Sequence, residues 1–206
     1  MPARLRPTAP IAAEAILVGD PGRALMLAQE LLVEPKMSNH ARGLWGYTGA
    51  TEMGHQLTIQ STGMGGPSAS VVLADLAELG VRRAVRIGTC ASLGELGLGD
   101  LLVVEKANER TPDPALTAAL ESALPEAGKG PIASLDSLYR PERELPSIQA
   151  EAADMQTAAL LATAAELGVA AAAVLVVTEK SDSGQLRDDD FEAAAKRAGH
   201  AAAAVL

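Results

Sequence analysis

Aromatic side chains make up only 2% of this 206-residue chain: one Trp, two Tyr and one Phe. The core must therefore be built from Ala, Leu, Val and Ile, and a surface that stacks on a ring has only Trp45, Tyr47, Tyr139 and Phe191 to draw on. Cysteine is nearly absent. Cys90 stands alone, which excludes an intramolecular disulfide or a cysteine-based metal cluster and fits a reducing cytoplasm. His40, His55 and His200 are far apart and have no carboxylate or cysteine at ligand spacing, so each is read as a surface or capping residue and no metal site is expected. Positive charge is also scarce. Against 26 acidic side chains there are 17 basic ones, and a net charge of −9 with no basic run repels a polyanion, which argues against nucleic acid as a partner. The longest apolar runs, such as the one around 169–177, fall short of the roughly 20 residues a membrane helix needs. Residues 1–10 lack the apolar core and cleavage site of a secretion signal. No membrane contact and a cytoplasmic location are expected.

A hydrophobic fraction of 48% is enough for one substantial core, and the length favours a single domain over 1–206. Two periodicities alternate along it. Short β-type runs lie at 15–18, 46–51, 56–61, 84–87, 101–104, 131–135 and 172–177, each bounded by glycine, proline or charge. Helical spacing fills 23–32, 67–79, 114–123, 155–167 and 190–206, with glycine stops at Gly80 and Gly168. The expected fold class is α/β: a three-layer α/β/α domain whose mixed, mostly parallel central sheet carries helices on both faces.

Three strand ends carry chemistry. Gly19-Asp20-Pro21-Gly22-Arg23 follows the first strand and opens a helix, where free backbone N–H groups and the helix dipole suit an anion. A second glycine loop runs from Ser61 to Ser68. It lacks the lysine of a Walker loop, so it is not a nucleoside triphosphate cradle of that type. In the third, Arg86 lies within an apolar strand that ends in Gly88-Thr89-Cys90-Ala91. A charge in that position needs a partner, either a carboxylate or an anionic ligand. Strand ends of this kind converge at the carboxyl edge of an open α/β sheet, the usual ligand crevice.

In order, GDPGRA, NHARGLWGYTG, STGMGGPSAS, LGVRRAVRIGTC, DMQTAAL and KSDS resemble the nucleoside phosphorylase-I family, in particular its hexameric purine nucleoside and uridine phosphorylase branch. The resemblance runs from about Leu17 to Phe191 and implies the nucleoside phosphorylase fold. It also implies a phosphate site made by the Gly19 backbone, Arg23, Arg86 and Thr89, with Arg42 supplied by the adjacent subunit of a homodimer or homohexamer. Met64, Met155 and Gln156 are implied at the ribose, and Cys90, Ala91, Leu138, Tyr139 and Asp154 around the base. Asp182 resembles the acid that protonates the departing purine, with Arg187 assisting it, so the implied catalytic residues are Asp182, Arg187 and Arg86.

The implied reaction is phosphorolysis of a purine nucleoside to free base and ribose 1-phosphate. Inorganic phosphate is the co-substrate and no cofactor is required. A diverged, weakly active or non-catalytic nucleoside- and phosphate-binding member of the fold is the alternative, ahead of a uridine phosphorylase or a nucleosidase. Several departures from the family pattern bear on it. Gln156 replaces a glutamate that grips the ribose, Leu138 replaces a phenylalanine at the base, and the segments 107–114 and 182–187 are compressed. Arg4 is the nearest polar stand-in for an amino-terminal histidine.

Overall fold

A computed structural model describes residues 4–135, 149–181 and 183–206. Within these residues ten strands form one sheet: β1 (Glu14–Val18), β2 (Val33–Asn39), β3 (Gly46–Ala50), β4 (Gln56–Ser61), β5 (Arg83–Ser92), β6 (Leu101–Ala107), β7 (Gly128–Ser134), β8 (Ala152–Asp154), β9 (Ala170–Lys180) and β10 (Gly184–Gln185). Among the described residues five α-helices cover it: α1 (Pro21–Leu31), α2 (Gly66–Glu78), α3 (Pro114–Ala123), α4 (Thr157–Leu167) and α5 (Asp188–Val205).

The strand order is β10-β9-β6-β7-β8-β5-β1-β4-β3-β2, with β5 also paired to β9. At its centre β4, β1, β5 and β9 run parallel, and antiparallel pairings join β2 and β3 to one side of this block. On the other side the pairings β5–β9–β6–β7–β8–β5 return to the strand they began on, so that half of the sheet curls into a ring.

Alternation along the central strands sorts the core into two layers. Ile16, Val18, Val85, Ile87, Val174 and Val176 face α1, α3 and α5, whereas Ala15, Leu17, Ala84, Ala173, Leu175 and Val177 face α2 and α4. Both faces are buried, as a parallel sheet requires, and the mixed sheet between two helical layers matches the expected class.

Helix limits follow local chemistry. Asp20 caps α1 by accepting from the Arg23 N–H at 3.0 Å, with Pro21 in the first turn, so α1 starts two residues before the expected 23. Asp113 caps α3 in the same way, and α4 closes on Gly168 in the left-handed conformation. The edge strand β2 has no counterpart among the expected strands because Glu34, Pro35 and Lys36 interrupt any apolar alternation.

Helix α5 lies against α1 through a close approach at Gly199, where an added Cβ would stand 2.8 Å from Leu27 Cδ2 and 3.3 Å from Leu31 Cδ1. Lys196 and His200 reach Glu30 on α1 at 3.1 and 3.0 Å. Gly199→Val is expected to overpack this contact by about 1–3 kcal/mol. In Gly199→Ala a helix-propensity gain of about 1 kcal/mol offsets the smaller clash. Thermal unfolding should show Tm lowered by roughly 3–10 °C for the valine variant and nearly unchanged for the alanine variant.

Candidate functional site

The carboxyl ends of β1, β4 and β5 and the amino-terminal approach to α4 surround a cavity of about 520 Å³. Its walls include Gly19, Asp20 and Arg23 from the first turn, Gly63, Met64 and Gly65 from the second, and Arg86, Gly88, Thr89, Cys90 and Ala91 from β5. Asp154, Met155 and Gln156 close it from the far side. Ten expected phosphate, ribose and base residues therefore meet in one place, although the sequence spreads them over more than half the chain.

Arg86 is 4% exposed, and each nitrogen of its guanidinium makes one hydrogen bond. It donates through Nε to the Thr157 hydroxyl at 3.0 Å, through Nη1 to Gln156 Oε1 at 2.6 Å and through Nη2 to Asp154 Oδ2 at 3.1 Å. Of the two partners raised by the sequence, the structure shows the carboxylate. A carboxylate meets the charge, while an arginine with five N–H donors keeps two to offer a ligand. Room for the group comes from Gly88, since a Cβ there would stand 2.5 Å from Nη2 and 2.7 Å from Leu175 Cδ2.

Asp154 is 2% exposed, and its carboxylate is spent on the protein. One oxygen accepts from the Ser134 hydroxyl, and the other accepts from Arg86 and from the Thr157 hydroxyl at 2.6 Å. The Thr157 N–H also points at it, at 3.1 Å, so Asp154 caps the start of α4 as well. Asp154, expected at the base, borders the cavity and neutralises Arg86. Gln156 is 4% exposed and similarly committed. Its Oε1 takes Arg86 and, at 3.3 Å, the Thr62 hydroxyl, while Nε2 donates to the carbonyls of Gly63 and Gly65. It links the arginine to the glycine loop, and its place beside the expected ribose is as part of the wall.

Arg23 is the second cation of the cavity. Burial, and after it the Arg86 charge, lower its pKa, with Asp20 opposing. Two like charges face one space, with Asp154 balancing one of them and Asp20 and Glu179 also on the walls. Cys90 is an apolar wall, its thiol pushed up to about 12 by burial and then by Asp154, against the pull of Arg86. Met64 stands at the rim, 88% exposed.

Not every expected residue is here. Arg42 lies outside the cavity, exposed in a 3-10 turn with a left-handed backbone at φ 61°. Arg187 is also outside, its side chain 78% exposed and paired with Asp190 at 3.1 Å on the first turn of α5. Leu138, Tyr139 and Asp182 fall outside the described residues. Thr178 and Glu179 line the wall without having been singled out in the sequence, because they look like the ordinary polar end of a buried strand. No group of three metal-ligating side chains occurs among the described residues, and no described helix is long and apolar enough to cross a membrane.

Comparison with known proteins fits this geometry. The model of the family described as "Phosphorylase superfamily" matches residues 14–206. A DeoD-type purine nucleoside phosphorylase of Caldanaerobacter subterraneus subsp. tengcongensis is 32% identical over 200 residues, covering 85% of this chain and 86% of that protein. Another, from Clostridium perfringens, is 33% identical over 195 residues, covering 82% of each. Among solved structures, a uridine phosphorylase from Vibrio fischeri ES114, complexed with 6-hydroxy-1-naphthoic acid, superposes with a TM-score of 0.85 at 22% identity, covering 95% of this chain and 91% of that one. With the match spanning nearly the whole sheet and every described strand end of the cavity, the chain belongs to the phosphorylase superfamily.

Proposed function

We propose that this protein catalyses phosphorolysis of the N-glycosidic bond of a purine nucleoside, giving free base and ribose 1-phosphate. The carrying observation is the single cavity where two arginines, the Gly19 turn and Thr89 face a glycine loop across a space of about 520 Å³. That volume suits a nucleoside with phosphate beneath its sugar. The purine assignment draws on the DeoD-type relatives and on the Ser181-Asp182 pair.

In this reading a phosphate oxygen attacks the anomeric carbon as the C–N bond breaks, and the bonding electron pair leaves with the base. The transition state places positive charge on the sugar and negative charge on the base. Arg23, the two unspent N–H groups of Arg86, the Gly19 backbone and Thr89 hold phosphate, and fixing the nucleophile in line is where such a site gains most. Asp182 supplies the proton that neutralises the departing base. Its replacement by Asn should lower kcat for inosine by about 10²–10⁴-fold and leave the KM for phosphate little changed. Arg187 would have to leave Asp190 to assist it.

Arg42, exposed and outside the lining of its own cavity, is assigned to the cavity of a neighbouring copy. Phosphate-dependent release of base from inosine, adenosine, guanosine and uridine tests the main reading. Release from purine nucleosides only when phosphate is present supports it, release without phosphate indicates a hydrolase, and no release indicates a binding protein. Arg42→Ala and Arg86→Ala should each be nearly inactive. Co-refolded mixtures should regain about a quarter of wild-type activity, because a mixed pair builds one intact site from two damaged chains. Mixtures that stay inactive would rule out supply of Arg42 by the neighbouring copy, and a fully active Arg42→Ala would place Arg42 outside the reaction.

A further inference from the structure

The two cavity arginines are held by different means. Arg86 has three hydrogen-bond acceptors. Around the Arg23 guanidinium no hydrogen bond or ion pair occurs among the described residues, and Asp20 is engaged with the Arg23 backbone N–H instead. What Arg23 does have is an aromatic face: its Cζ lies 4.5 Å from the centroid of the Phe191 ring. Phe191 is the one phenylalanine of the chain. It stands on the first turn of α5 and packs against the core layer shared with α1. The Gly199 contact and the Glu30 ion pairs fix α5 against α1, so the ring and the guanidinium meet from two helices whose spacing is set elsewhere.

A second recess of about 550 Å³ adjoins the cavity and shares Asp20, Arg23, Thr89, Thr178 and Glu179 with it. Its walls also carry Asp188, Phe191 and Glu192. Each carboxylate there is a competing partner for Arg23, and an ion pair with one of them would neutralise the charge and consume N–H donors. Stacking on a ring does neither. It uses the face of the guanidinium and leaves the donor edge and the full charge available to an anion.

We propose that Phe191 is a positioning residue for the phosphate site, holding Arg23 by its face so that the guanidinium edge stays free for phosphate instead of pairing with a carboxylate of the recess that Arg23 also lines. The identity of the anion rests on the phosphorolytic reading; the holding of Arg23 does not. In steady-state kinetics Phe191→Leu, which keeps an apolar side chain and removes the ring, should raise the KM for inorganic phosphate about 3- to 10-fold. The KM for nucleoside should stay within about twofold, and Phe191→Tyr should restore the wild-type phosphate KM. The rise in Tm on adding inorganic phosphate should likewise shrink in the leucine variant and persist in the tyrosine variant. An unchanged phosphate KM in Phe191→Leu, equal rises in both KM values, or failure of tyrosine to rescue would overturn the proposal. A wild-type protein that cleaves no nucleoside sinks the phosphorolysis reading alone, because the phosphate-induced Tm rise still reports on Arg23. A wild-type Tm indifferent to phosphate overturns this proposal itself.

Discussion

A guanidinium buried inside a central strand has to be neutralised and hydrogen-bonded, and meeting that demand for Arg86 organises the whole pocket. Leaving such a charge uncompensated costs on the order of 3–5 kcal/mol, a large part of a domain's net stability. The fold answers with a segment far along the chain: β8 pairs Ala153 with Ala91 and Ala152 with Ser92, which brings Asp154 beneath the arginine. Because Thr157 and Gln156 follow directly, the start of α4 is built onto the same group. One electrostatic requirement thus fixes the base of the cavity, the start of a helix and, through the Gln156 amide, the glycine loop opposite.

Much of this was legible in the sequence, and the parts that were not have physical reasons. Long buried strands such as β1, β5 and β9 announce themselves by apolar runs, and α2 and α3 by spacing and a proline in the first turn. The short strands β8 and β10 have no periodicity to read, being three and two residues long. β8 is nevertheless what carries Asp154 to Arg86. An arginine in an apolar strand declares that it needs a partner, but not which one. Asp154, expected at the base, was that partner. Thr178 and Glu179 escaped notice because β9 continues past its apolar run to the cavity wall.

Gln156 shows how one amide alters a site. A glutamine both accepts and donates, so it bridges a cation to two backbone carbonyls, whereas a carboxylate has no hydrogen to give those carbonyls. With both ends engaged by protein, Gln156 spends its hydrogen bonds on the shape of the pocket. The glycine loop is thereby tied by hydrogen bonds to the Arg86–Asp154 pair. Arg23, by contrast, is positioned by a helix that belongs to another layer of the domain.

The ring of strands β5–β9–β6–β7–β8 has a consequence for how copies of this chain can meet. On that side each described strand has a neighbour on both flanks, apart from the two-residue β10. The opposite border, β2, is interrupted by Pro35 and by two register shifts. Neither border is a good template for an incoming strand. Lateral association through side chains has exposed Val33, Met37 and Trp45 among the apolar groups on hand, and the two borders disfavour continuous sheet growth between molecules.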